Sequence, residues 1–339
     1  MAGMARITLG LGTSHGPMLS IGWEHWADRA PFDRRHTALP FRGRTYTFAE
    51  LAELRRGEQL ERFLTPEECS ARHTRCQTAI AELARAFAAG KVDAAVIIGN
   101  DQEEVFSDAY VPGLAIFWGD HVMGHPRTPE FLAKLDPAIA RAEEDRTPPV
   151  DTRYPCLPAL GKQLIERSVA DGFDVMQMTK LLAGKIGVNS APHAYGFVYR
   201  RVMKDAVPPH VPVFVNTFYP PNQPPARRCY EFGRALGEAI ASWPEDMRVA
   251  VIASGGMTHF VIDEEFDRKM LNAMETGDGA ALSAPTEDLF QSGTSEIKNW
   301  IVTAGIMANT GLRMRVVDYV PCYRSEAGTG SAMGFAVWE

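Results

Sequence analysis

His15, the run Asn100-Asp101-Gln102, His193 and Glu265 are four polar stations far apart in the chain. Each stands at the end of an apolar, strand-like stretch or in the loop after one. Imidazole, carboxylate and side-chain amide are groups that hold metal ions, imidazole suiting iron and oxygen donors suiting harder cations. Strand ends of an α/β fold gather at one edge of a sheet, where ligands and metals bind. Taken together, the stations predict one site and a mononuclear metal enzyme.

Singly, each has a plainer explanation. His15 lies in Thr13-Ser14-His15-Gly16-Pro17, directly after the first strand, but a lone histidine is usually an ordinary polar residue. The five residues from Asn100 to Glu104 hold three acids and two amides, which a solvated acidic loop would also show. Asp263-Glu264-Glu265-Phe266-Asp267 opens a helix, where the backbone dipole alone favours acids. His193 sits near a helix start, as a general base or a capping residue. Ser254-Gly255-Gly256-Met257-Thr258-His259 follows a strand, and its glycines suit either close approach to a ligand or a tight turn.

The elements that must position these groups are legible as apolar runs. Segments 7–11, 94–98, 114–118, 211–218 and 249–253 are short and rich in β-branched residues, and read as buried strands. Segment 66–89 carries Ile80, Leu83 and Phe87 at helical spacing, with Thr65 as N-cap before Pro66 and Gly90 as its stop. Segments 226–243 and 295–307 are helical in pattern, the second with Thr294 and Ser295 as candidate caps, while 220–225 is a proline-rich loop. This alternation predicts an α/β fold, a single αβα sandwich domain over 1–339 with a central mixed sheet and the site at its strand ends. Segment 22–64, rich in Arg, Trp, Phe and Pro, reads as an insertion that covers the site as a lid. Segment 323–331 reads as a loop before a last strand at 333–338.

Bulk properties exclude several classes. At 339 residues and 45% apolar, the chain can bury a large core. Thirty-five basic against 42 acidic residues give a net charge of −7, and no basic run is long enough to track nucleic acid. Five cysteines, an odd number without a Cys-x-x-Cys pair, argue against a disulfide framework and a thiolate zinc site. No stretch approaches the roughly 20 apolar residues that span a bilayer, and no signal-peptide pattern opens the chain. The expectation is a soluble cytoplasmic protein with no nucleic-acid or membrane partner.

The order of the motifs resembles that of the class III extradiol ring-cleavage dioxygenases, of the protocatechuate 4,5-dioxygenase β-subunit type. The pieces that carry the resemblance are Thr13 to Pro17, Gly99-Asn100-Asp101, the turn bearing His193, and the run from Phe214 to Pro221. Further on come Gly255-Gly256-Met257-Thr258-His259, then Glu265-Phe266-Asp267 and Gly293-Thr294-Ser295-Glu296.

The resemblance implies a non-haem Fe(II) held by two histidines and a glutamate, with positions open for substrate and dioxygen. It places the first histidine on His15, the glutamate on Glu265, the general base on His193, and a substrate or supporting contact on His259. Where the family has a second histidine ligand this chain has Gln102, so that metal position falls to the amide, or to Asp101, Glu103, His121 or His125 nearby. The implied activity is opening of a catecholic ring, protocatechuate-like or gallate-like, by O2. Two alternatives are a non-catalytic subunit of a hetero-oligomeric dioxygenase and a redox-neutral enzyme using another divalent metal. Arg42, Arg44, Arg55 and Arg56 are candidates for meeting a substrate carboxylate, and Trp23, Trp26 and Phe41 for an apolar wall. Family habit also implies a homodimer, with or without a small partner subunit.

Overall fold

A computed structural model describes residues 3–185 and 189–339. Its strands, in chain order, are β1 (Arg6–Thr13), β2 (Leu39–Phe41), β3 (Arg44–Tyr46), β4 (Ala94–Gly99), β5 (Leu114–Phe117), β6 (His121–Gly124) and β7 (Thr152–Pro155). They continue with β8 (Met176–Met178), β9 (His210–Val215), β10 (Arg248–Ser254), β11 (His259–Val261), β12 (Met314–Tyr323) and β13 (Thr329–Trp338). The main sheet is nine-stranded, in the order β11-β13-β1-β10-β4-β9-β5-β8, with β12 pairing β13 off this path. β1, β10, β4 and β9 run parallel to their neighbours in that row. β5 is antiparallel to β9, and β13 is antiparallel to β1, β11 and β12. The sheet is mixed and flanked by helices, the αβα sandwich expected from the alternation of elements.

The parallel strands are covered on both faces, which explains why β4 and β9 are buried at every residue and read as unbroken apolar runs. Neighbouring residues of β4 and β10 point to opposite faces. Val96, Ile98, Val249 and Val251 join a core with helices Ala226–Ala241, Glu264–Thr276 and Ile297–Met307. Ala95, Ile97, Ala250 and Ile252 join a second core under helix Pro66–Gly90. On the first face, helices Ala226–Ala241 and Ile297–Met307 approach closely enough that a side chain at Gly233 would strike the carbonyl of Val302.

Helix Pro66–Gly90 starts where expected, with the Thr65 side chain accepting from the Glu68 N–H at 3.3 Å. Gly90 still belongs to it, and the left-handed residue that ends it is Lys91, at φ 44°. Segment 22–64 holds more regular structure than its sequence suggests. It folds the β2–β3 hairpin and then helix Phe48–Arg55, which Thr47 and Glu50 close with a reciprocal cap. β12 went unread in the sequence because polar Arg315 and Asp318 interrupt its apolar pattern. Among the described residues, no helix is long and apolar enough to cross a membrane. All five cysteines are free and buried.

The strand register sets the site. Thr13 lies opposite Ser254, Ile98 opposite Ala253 and Gly99 opposite Phe214, so β1, β10, β4 and β9 stop nearly level. The residues just beyond those ends share one edge of the sheet.

Candidate metal centre

His15 enters from the turn after β1 and His193 from the first position of helix His193–Phe197, while Glu296 closes the short 3-10 turn Ser292–Glu296. All three are buried, with 2%, 9% and 2% of their surfaces exposed. One ligand atom from each lies within 4.8 Å of the others. His15 Nε2 is 3.2 Å from His193 Nε2 and 3.3 Å from Glu296 Oε2.

Hydrogen-bond bookkeeping fixes what those atoms offer. The Ser254 hydroxyl donates its one hydrogen to the Ala194 carbonyl at 2.6 Å, so toward His15 it acts as acceptor. His15 therefore carries its proton on Nδ1, which donates to Ser254 Oγ at 2.9 Å. His193 Nδ1 donates to Glu104 Oε2 at 2.6 Å, while the other oxygen of Glu104 takes the His193 backbone N–H at 2.7 Å. Both imidazoles, when neutral, thus turn Nε2 lone pairs toward each other and toward a carboxylate. Such an arrangement repels itself unless a cation, metal or proton, lies among the three. Outer nitrogens tied to a hydroxyl and a carboxylate are the support that metal-ligating histidines normally have. Two imidazoles and one carboxylate fit a divalent iron site.

The electrostatics agree. Burial holds the His15 imidazole down at about 4, against the opposing pull of Glu296. Burial would also lower His193, but Glu104 outweighs it and raises that ring above its ordinary value. Glu296 is held well below the carboxylate range because His15 and His259 outweigh its burial.

The rest of the floor is built on Glu296. Its Oε2 accepts from the Gly256 N–H at 2.7 Å, and its Oε1 from the amides of Asn100 and Gln102, each at 3.3 Å. His259 donates Nδ1–H to the Met257 carbonyl at 2.7 Å and brings Nε2 to 3.8 Å from Glu296 Oε1. A side chain at Gly256 or Gly293 would collide with the His259 ring, so close approach accounts for both glycines.

Two expectations change. Glu265 is not at the site: its side chain is 81% exposed and pairs with Arg42 at 2.8 Å, in the acidic first turn that the helix dipole favours. The glutamate among the histidines is Glu296, whose signal was its place in Gly293-Thr294-Ser295-Glu296 before an apolar helix. Gln102 lies on the cavity wall, but its amide is engaged with Glu296, and the second imidazole beside His15 is His193. None of the other offered replacements joins the cluster. Asp101 accepts from the N–H groups of Val105 and Phe106, and Glu103 pairs with Lys185. His121 pairs with Asp120, and His125 with Asp151. Glu104, which orients His193, was unsuspected within its acidic run.

Above the cluster lies a cavity of about 330 Å³, walled in part by Trp26, Phe131, Leu135 and Ile139. Segment 22–64 contributes His25, Trp26 and Arg29 to that wall. Its other candidates lie elsewhere. Arg42 binds Asp263, Arg55 binds Glu58, Arg56 pairs with Glu53, and Phe41 packs in a small separate core with Leu39 and Phe48. Arg44 and Trp23 are likewise absent from the cavity lining.

Comparison with known proteins identifies the family. Over 111 residues the chain is 33% identical to gallate dioxygenase of Pseudomonas putida KT2440, covering 29% of this chain. The match spans about a third of that relative, 32% of its length. An uncharacterized protein of Escherichia coli K12 aligns with 97% of this chain and 99% of its own at 12% identity, with a TM-score of 0.39. Residues 68–328, most of the chain, match the family described as the catalytic LigB subunit of aromatic ring-opening dioxygenase, and the chain belongs to that family.

Proposed function

We propose that this chain is a non-haem Fe(II) dioxygenase that opens the ring of an aromatic compound bearing two adjacent hydroxyls. The observation that carries the proposal is the convergence of His15 Nε2, His193 Nε2 and Glu296, with both outer imidazole nitrogens already hydrogen-bonded. Those three side chains would hold the metal. Gln102 steadies the Glu296 carboxylate and does not bind the metal itself. Bound iron would supply the electronic partner through which dioxygen and an aromatic ring can react at all.

The remaining chemistry belongs to the protein. The cavity excludes bulk water from the ring and holds it in one orientation, converting a multi-body encounter into reaction within one complex. His259, on the same wall and beside Glu296, is the group placed to exchange a proton with a substrate hydroxyl. His193, which the sequence offered as general base, is assigned here to the metal, with Glu104 holding its Nδ1 proton. Segment 22–64 acts as a cover. The proposal extends to a homodimer, as the family resemblance implies, and to the cytoplasm, and light scattering would read the mass.

The test is elemental analysis of protein purified without oxygen, followed by oxygen uptake with a panel of catechols. About one iron per chain and oxygen consumed with a yellow ring-opened product are expected. Stoichiometric binding of a different ion without uptake would overturn the proposal.

A further inference from the structure

We propose that the aromatic substrate carries an apolar substituent about the size of a second ring and no carboxylate on the ring to be opened. This deepens the ring-opening reading and rests on it. Size, charge and wall chemistry of the cavity point the same way.

The cavity above the cluster measures about 330 Å³. A dry cavity of roughly 150 Å³ is enough for benzene. A catechol ring therefore leaves space for a group of similar bulk. A second cavity, of about 250 Å³, lies next to the first, with Arg29, Phe260 and Arg324 lining both.

Four arginines face the main cavity, and each already stands beside a carboxylate of the protein. Arg324 grips Asp33 through two bonds of 2.5 and 3.1 Å. Arg127 donates to Glu143 at 2.6 Å, and the same carboxylate lies 3.8 Å from Arg146. Arg29 lies 4.0 Å from Asp136. A carboxylate on the substrate ring would leave water for guanidiniums that already face Asp33, Asp136 and a Glu143 shared by Arg127 and Arg146, with Glu104 on the same wall. The arginines that the sequence offered as carboxylate ligands lie off this cavity.

What the wall does offer is apolar surface from two distant parts of the chain. Trp26 comes from segment 22–64, and Phe131, Leu135 and Ile139 from the segment after β6. The Trp26 N–H is already spent on the Met18 carbonyl at 3.0 Å, so the indole presents apolar surface. Burying a phenyl group there should improve recognition on the order of 10- to 100-fold over unsubstituted catechol.

The experiment compares catechol, 3- and 4-phenylcatechol, protocatechuate and gallate on the iron-loaded protein by oxygen uptake. In parallel, calorimetry without oxygen measures the binding of each compound. The expected result is a phenylcatechol at least 10-fold above catechol in kcat/KM and in affinity, with both acids below catechol. Preference for protocatechuate or gallate overturns the inference. If no compound drives oxygen uptake, the ring-opening reading fails, and the binding order still decides the cavity's preference. Glu143→Gln, which frees Arg127 and Arg146, should shift the affinity ratio of protocatechuate to phenylcatechol at least 10-fold toward the acid. An unchanged ratio in the folded variant overturns the charge argument. Should that variant fail to fold, Leu135→Arg adds an uncompensated cation to the same wall and is read in the same way.

Discussion

Glu265 and Glu296 are both glutamates at the start of a helix, yet one is bathed in solvent and the other is 2% exposed between imidazoles. Acid at a helix start is favoured whatever lies nearby, so position alone could not separate them. Their environments predict opposite outcomes. Glu296→Gln should weaken iron binding on the order of 100-fold or more, since it removes the carboxylate proposed as ligand, whereas Glu265→Gln should leave it unchanged. Titration of the purified apo-proteins with Fe(II) under argon reads both. Glu104 works one bond further out, fixing the tautomer and direction of His193. Glu104→Gln keeps an acceptor for the Nδ1 proton but loses the charge, and iron affinity should fall roughly 10- to 100-fold. Equal affinity in that variant would show that His193 needs no anionic support. His15 and His193, which the structure brings together, stood out in the sequence because each follows or opens a recognisable element. Glu104 was not, because neighbouring acids in one loop look alike until the fold buries one of them.

At the scale of elements, β9 shows how a strand that reads plainly in sequence can still hide a titrating group. Its apolar residues predicted a buried strand, and that strand begins with His210, fully buried. The Tyr199 hydroxyl donates to His210 Nε2 at 2.6 Å, and Nδ1 donates to the Pro208 carbonyl at 3.3 Å, a pattern complete for the neutral ring. Burial holds its pKa down at about 4. The unfolded chain, with an ordinary imidazole near 6.5, binds this proton more readily than the folded one does. The contribution of His210 to stability is therefore present above about pH 6.5 and is lost as pH falls toward 4, by up to ~3 kcal/mol. Chemical denaturation from pH 7 to 4.5 should show this slope, and His210→Gln should flatten it. A slope that survives the substitution intact would place the acid sensitivity elsewhere.

At the scale of the whole molecule, segment 22–64, which lends His25, Trp26 and Arg29 to the cavity wall, is riveted down, which its sequence does not suggest. Asp33, from segment 22–64, accepts from Arg324 and from the Thr329 hydroxyl, and all three are buried. Removing one partner of such a pair leaves a charge stranded at the cavity wall. Asp33→Ala should destabilise the protein by roughly 3–5 kcal/mol and loosen segment 22–64. Thermal unfolding and proteolysis of segment 22–64 are the readouts, and a variant as stable and protease-resistant as the wild type would refute the rivet. The apolar runs that become β1, β4, β5, β9, β10 and the end of β13, and the polar residues beside several of them, were legible in the sequence alone. Side-chain period and strand-end polarity are local properties, written within a few residues. The choice of glutamate, the second imidazole beside His15 and the partner of each cavity arginine were decided only in three dimensions. His15 meets His193 across 178 residues and Asp33 meets Arg324 across 291. Pairings at that range depend on which surfaces the packed sheet brings together, and no local pattern encodes them.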